Sequence, residues 1–252
     1  MNFLITKYKL FGKLYRKIKF ALKINWVKTL YFNFKMLPFS IAKKLPVYFY
    51  GKVKFNDLSG KVEINAPIKS GMIGFGQPYE IFTKGTGRAE IFFAGNIIFN
   101  GYCQFGIDYL IYVAPNASLT MGNMSSLGSN GKIVCFDKIK FGEYCRIGFE
   151  SQLIDTNAHQ MIDVLTDEKF PITSSIILGD YNYFGNRVSI MQNTYTPNYC
   201  TIASNSLCNN DYVHFGTNVL IGGIPAKVLK QNISRDWEGE IENLNSCLKV
   251  FI

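Results

Sequence analysis

Histidine is scarce in this chain: His159 and His214 are the only two among 252 residues. A catalytic zinc site built from three histidines of one chain is thereby excluded. The six cysteines, at positions 103, 135, 145, 200, 208 and 247, contain no C-x-x-C pair. That spacing argues against a zinc ribbon or a redox dithiol and favours reduced core thiols in a cytosolic protein. No apolar run approaches the roughly 20 residues of a membrane-crossing helix. Lys7, Lys9 and Lys13 interrupt the N-terminus, so no signal peptide is expected.

Acid is missing from the first part of the chain. Residues 1–56 hold 13 of the 27 Lys and Arg and not one Asp or Glu; the other 14 bases face all 18 acids. A strongly basic, aromatic-rich segment therefore precedes a mildly acidic body. Within it Leu4, Tyr8, Phe11, Leu14, Tyr15, Ile18 and Leu22 return every three or four residues, the step of an amphipathic helix. Pro38 and Pro46 end the segment, taken as residues 1–46. Two roles stay open for it. Trp26, Tyr31, Phe32 and Phe34 among lysines suit the headgroup region of an anionic membrane. The same face also suits packing, as the cap that a repeat array needs at its end. Nucleic acid is not an expected partner, because no binding motif accompanies the lysines.

The body follows neither the helical period of 3.6 nor the strand period of 2. Its beat is six. Leu178, Phe184, Ile190, Thr196, Ile202 and Cys208 mark it, often with a small residue behind, as in Phe184-Gly185 and Ile202-Ala203. Earlier runs read Phe141-Gly142, Ile147-Gly148, Leu153 and Met121-Gly122, Leu127-Gly128, Ile133. A hexapeptide beat marks an all-β solenoid built of short strands. Residues 47–100 read as less regular early turns of it. The eight-residue step from Ile133 to Phe141 predicts two residues inserted at a corner. A polar stretch at 158–176 reads as a loop ejected from the stack, where function concentrates. The solenoid is placed at 47–230, and a helical tail at 231–252.

Three motifs carry a resemblance. Ile177-Leu178-Gly179-Asp180-Tyr181-Asn182-Tyr183-Phe184-Gly185 is similar to an "I-I-G-D-N-V-W-I-G" coil, with Tyr183 in the Trp position. Leu220-Ile221-Gly222-Gly223-Ile224-Pro225-Ala226-Lys227-Val228 is similar to a terminal "G-N-P-A-K-V". Asp155-Thr156-Asn157-Ala158-His159 is similar to "D-T-D-x-H", with Asn157 in place of the second acid. Together they resemble the hexapeptide-repeat acyltransferases, and among them the bacterial sugar O-acetyltransferases, over about residues 95–230. The resemblance implies a left-handed parallel β-helix, a homotrimer, acetyl-CoA as donor without a metal, and direct transfer to the acceptor. It implies that His159 is the general base and that the donor lies in a groove between subunits. There Gly185 and the coil Thr201-Ile202-Ala203-Ser204-Asn205 would approach the pantetheine arm, with Asn205 where the family has Gly.

The chemistry suits those residues. A sugar hydroxyl attacks a thioester only as its proton is removed, and an imidazole titrating near neutrality is fit for that step. In an extended run Asp155, Asn157 and His159 project to one side, so Asp155 or Asn157 is expected to fix the imidazole tautomer. Lys227 and Lys230 are candidates for the nucleotide phosphates. His214 has no acid at motif spacing and is expected to be structural. The leading expectation is a cytoplasmic O-acetyltransferase acting on a surface polysaccharide or its precursor, with contact to the inner face of the membrane if residues 1–46 bind it. The alternatives are an N-acetyltransferase of an amino sugar nucleotide and a β-helix that binds without chemistry, for which the Asn157 and Asn205 departures speak.

Overall fold

The computed structural model describes residues 15, 21–77, 85 and 87–246. Most of the predicted N-terminal helix, from Leu4 to Leu14 and at Ile18, lies outside the described residues, as does Cys247. Leu22 sits in a turn, and the first described helix of any length is α1 (Trp26–Met36). It opens on Asn25, whose side chain accepts from the Lys28 N–H, a local cap for an orphan helix-end donor. It stops at Leu37, held extended because Pro38 follows. A single turn, α2 (Phe39–Ala42), follows.

From Val47 onward the chain is built of short strands in three sheets that it visits in rotation. The first sheet holds β1 (Val47–Phe49), β4 (Ile73–Phe75), β7 (Cys103–Phe105), β10 (Ser125–Leu127), β13 (Arg146–Ile147), β16 (Tyr183–Phe184), β18 (Thr201–Ile202), β20 (Val219–Gly223) and β21 (Ala226–Gln231). The second holds β2 (Val53–Asp57), β5 (Ala89–Phe93), β8 (Leu110–Val113), β11 (Lys132–Cys135), β14 (Gln152–Ile154), β17 (Ser189–Met191) and β19 (Leu207–Cys208). The third holds β3 (Lys61–Ile64), β6 (Asn96–Phe99), β9 (Ser118–Met121), β12 (Lys138–Lys140) and β15 (Ile176–Ile177). All these ladders are parallel except the last pair, β20 with β21. The architecture is thus mostly parallel β with few helices.

The register explains the beat. Phe184 faces Ile202 and Ile190 faces Cys208, so 18 residues make one lap and six make one side. Each beat residue points inward, where one continuous apolar core fills the space between the sheets. Phe49, Phe75 and Phe105 stack through three successive laps, with centroids 5.0 and 4.3 Å apart. The strands from 47 to 100 belong to the same ladders from the start. The eight-residue step from Ile133 to Phe141 is not a corner insertion. The second side is longer there: Ile133 and Cys135 both point inward before the chain turns at Phe136. The five described cysteines are buried and unpaired by disulfides.

Both ends of the stack are covered. Asn33, fully buried on α1, donates to the Val47 carbonyl and accepts from the Val47 N–H. Thr29 Oγ1 accepts from Phe49 N–H. These side chains satisfy edge groups of β1 that would otherwise be left bare. Phe32 drops between Phe49, Phe55, Phe75 and Phe93. At the other end, the antiparallel β21 closes the first sheet. The chain then returns as α3 (Trp237–Ser246), packing Trp237 and Leu244 on Met124. Trp237 lies edge-on to Tyr144 and Tyr181, two members of the stacked corner column Tyr144–Tyr181–Tyr199.

Candidate active site

The motif Asp155 to His159 stands where the chain leaves the stack after β14. Leu153 pairs with Ile133, so Asp155 falls beside Cys135 in an inward row. Its carboxylate is fully buried. One oxygen accepts from Phe136 N–H at 2.7 Å, the other from Asp137 N–H at 2.9 Å, both in the corner of the lap below. Burial raises its pKa from the usual carboxylate value, and the two N–H donors offset only part of that rise.

Residues 156–174 form a finger. Thr156 bridges Thr173 and Ile162 bridges Lys169, both antiparallel, and Asn157 N–H donates to the Ile172 carbonyl. Gln160 Nε2 donates across it to the Phe170 carbonyl. The finger exposes apolar residues among charged ones: Leu165 is 92% accessible, and Met161, Ile162, Val164, Phe170 and Ile172 are exposed as well, alongside Asp167, Glu168 and Lys169.

The expected common side for Asp155, Asn157 and His159 does not form. Ala158 adopts φ 58°, which breaks the extended run before His159. Asp155 points into the core, whereas Asn157 and His159 point to solvent. The Asp155 oxygens are occupied by the 136–137 corner, so Asp155 does not orient the His159 ring. Within the described part of the chain, that ring has no hydrogen-bond partner. His214 lies in an exposed 3-10 turn with its ring against Phe215, centroids 3.9 Å apart.

The predicted donor residues gather at a different corner, between the first and second sheets. The ladders place Gly185 beside Ala203 and Ala203 beside Gly222, which faces Lys227. Gly185 is buried there. Its N–H donates to the Ile202 carbonyl, and its own carbonyl accepts from Ser151. A Cβ on Gly185 would stand 2.5 Å from Ser204 Oγ, so packing between laps already requires glycine. The Gly185 N–H is thus committed to the neighbouring lap, while its carbonyl keeps a second acceptor site. Ser204 and Asn205 are exposed on the turn above it, Asn205 at φ 58°. Ser204 Oγ accepts from Asn186 N–H. Lys227 and Lys230 are exposed on β21, Lys230 opposite Leu220.

The second sheet lies between these two corners, and a cleft of about 530 Å³ runs along its outer face. Its lining includes Asn157 at the finger's root, with Gln152, Ser189, Gln192, Asn193 and Asn209. Gln152 Nε2 donates to Ser189 Oγ at 3.1 Å. The Gln192 Oε1 is buried without a hydrogen-bond partner, a costly state unless a ligand or water donates to it. No charged side chain is among the lining residues. Apart from Asn157, sequence reading missed these amides. Their signal was faint: Gln152 and Asn209 flank the beat residues Leu153 and Cys208, while Gln192 and Asn193 stand in the turn after β17. A larger hollow of about 620 Å³ sits among the first laps near Lys23, Lys52 and Asp108, and none of the predicted site residues lines it.

No family model matches the sequence, and neither does any curated protein. Solved structures with a similar fold include the polySia-specific acetyltransferase NeuO, at 17% identity and TM-score 0.48, covering 80% of this chain and 85% of that one. A mutant of AntD, an N-acyltransferase from Bacillus cereus in complex with dTDP and coenzyme A, is similar at 13% identity and TM-score 0.45, covering 79% and 89%. The polysialic acid O-acetyltransferase OatWY follows at 18% identity and TM-score 0.38, covering 75% and 89%.

Proposed function

We propose that the chain is an acetyl-CoA-dependent O-acetyltransferase of a saccharide hydroxyl, folded as a left-handed parallel β-helix and working as a homotrimer. The observation that carries this reading is the position of the Asp155–His159 motif at the root of a finger that begins beside an uncharged, amide-rich cleft. Amide side chains both donate to and accept from sugar hydroxyls. A cleft without charge suits a neutral acceptor better than a carboxylate or phosphate.

In this reading His159 takes the proton of the acceptor hydroxyl as that oxygen forms its bond to the thioester carbonyl carbon. The C–S bond then breaks, and His159 returns the proton to the leaving sulfur, so no covalent enzyme intermediate is needed. Asn157 binds the acceptor. Asp155 anchors the finger to the lap below, a positioning task rather than a partnership with the imidazole. The donor fits the exposed Ser204–Asn205 turn, with Lys227 and Lys230 toward its phosphates, better than it fits the buried Gly185. The finger supports the trimer: its six exposed apolar residues suit contact with a second copy, which would bring His159 to a shared site.

The test is thiol release from acetyl-CoA in the presence of a panel of neutral saccharides, comparing the wild type with His159→Ala. A fall of at least 10²-fold in the variant is expected, the usual weight of a general base. Equal rates would remove His159 from the mechanism.

A further inference from the structure

Capping and membrane contact were alternatives for the basic segment, but α1 can serve both. Its buried residues, Thr29, Phe32 and Asn33, bolt it across the open end of the stack. With one face fixed, the opposite face cannot turn inward. At 100° per residue, Val27, Leu30 and Phe34 lie opposite Phe32. They are 77%, 43% and 49% accessible, and Phe39 just beyond the helix is exposed too. A soluble helix end would carry polar residues there. Lys23, Lys35, Lys43 and Lys44 of the same segment are exposed too, and no acid occurs anywhere before Asp57.

We propose that this end face rests on an anionic lipid bilayer, with Val27, Leu30, Phe34 and Phe39 in the headgroup–acyl boundary and the lysines against the lipid charges. Charge decides between the occupants. A second copy would set the same lysines face to face. Residues 1–20 carry six Lys and Arg and no acid, so they too would bring like charge. An anionic bilayer satisfies both the apolar row and the lysines of the segment.

The placement sets a height. The finger leaves after β14, four strands beyond β2 in the second sheet. At about 4.8 Å per strand spacing, its root stands roughly 20 Å from the first lap. Resting on the proposed activity, this implies an acceptor several sugars removed from any lipid carrier, rather than the sugar attached to the lipid. The surface itself does not depend on that activity.

Flotation of the full chain with phosphatidylcholine vesicles, alone or with about one-third phosphatidylserine, tests the surface directly. The chain is expected to float with the anionic vesicles, less so at high salt, and little with phosphatidylcholine alone. The double variant Leu30→Glu/Phe34→Glu, both exposed, is expected to keep the wild-type melting temperature and bind the anionic vesicles at least tenfold more weakly. Absence of wild-type binding would overturn the proposal. So would equal binding by the double variant, or equal binding to both vesicle types. A smaller oligomer for the double variant without lipid would assign the face to a second copy instead. The assay needs no turnover, so its failure is separate from failure of the proposed activity.

Discussion

Asp155 offers a sharp test, because structural and catalytic roles for it make opposite demands. Its two oxygens accept from Phe136 and Asp137 N–H at 2.7 and 2.9 Å inside a fully buried corner. Asp155→Asn keeps the shape but turns one acceptor into an NH₂ facing an N–H. Losing one of the two hydrogen bonds and stranding its donor costs about 2 kcal/mol. With about 2.1 cal/mol/K of unfolding entropy per residue, this lowers the melting temperature by about 4 °C for a chain of this length. The pH dependence has a definite sign. Burial raises the folded-state pKa of Asp155, so the folded chain holds this proton to higher pH than the unfolded chain does. The stability that the proton adds is complete below the unfolded value of about 4 and is lost as pH climbs through the raised one. The stability gap between wild type and Asp155→Asn should therefore narrow as pH rises from about 4 toward neutrality, measured by urea unfolding at several pH values. Below its melting temperature, the variant should keep the wild-type pH–rate profile. An unchanged melting temperature together with a rate loss of 10² or more would refute this reasoning and return Asp155 to the imidazole.

Other outcomes follow from the packing. Gly185→Ala would press a methyl to 2.5 Å from Ser204 Oγ and 2.7 Å from Ser204 N, and should cost about 1–3 kcal/mol in denaturant unfolding. Phe32→Ala, which empties the ring site between Phe49, Phe75 and Phe93, should cost about 3–5 kcal/mol by the same measurement, whereas Leu30→Glu on the opposite face should leave stability unchanged. Tyr181→Ala removes the middle of the Tyr144–Tyr181–Tyr199 column and the ring against Trp237. Red-shifted Trp237 emission in a Trp26→Phe background should report release of α3.

The scaffold was legible because its signal repeats. Six residues per side place Leu178, Phe184 and Ile190 inward on three successive sheets, and each lap confirms the one before. The site was legible only as far as its motif. Asp155 reads as the partner of the imidazole in the linear string, yet the chain turns outward at Asn157 and the left-handed Ala158 carries His159 further from it. Gly185 reads as room for a ligand, yet the lap above fills that room through Ser204. The cleft amides carry no pattern, since Gln152, Gln192 and Asn209 come together only through laps of unequal length. Helix α1 was ambiguous for a physical reason: the same alternation of apolar and basic residues serves a cap on one face and an exposed row on the other.

The central claim is that the chain transfers an acetyl group from acetyl-CoA to a saccharide hydroxyl, with His159 as the base that takes the hydroxyl proton. Incubation with acetyl-labelled acetyl-CoA and a neutral saccharide acceptor, followed by mild base, tests it most directly. Label that enters the saccharide, leaves again in mild base as an ester must, and is lost in His159→Ala is the expected result. Label that survives mild base as an amide, or that enters the saccharide equally with His159→Ala, would contradict it.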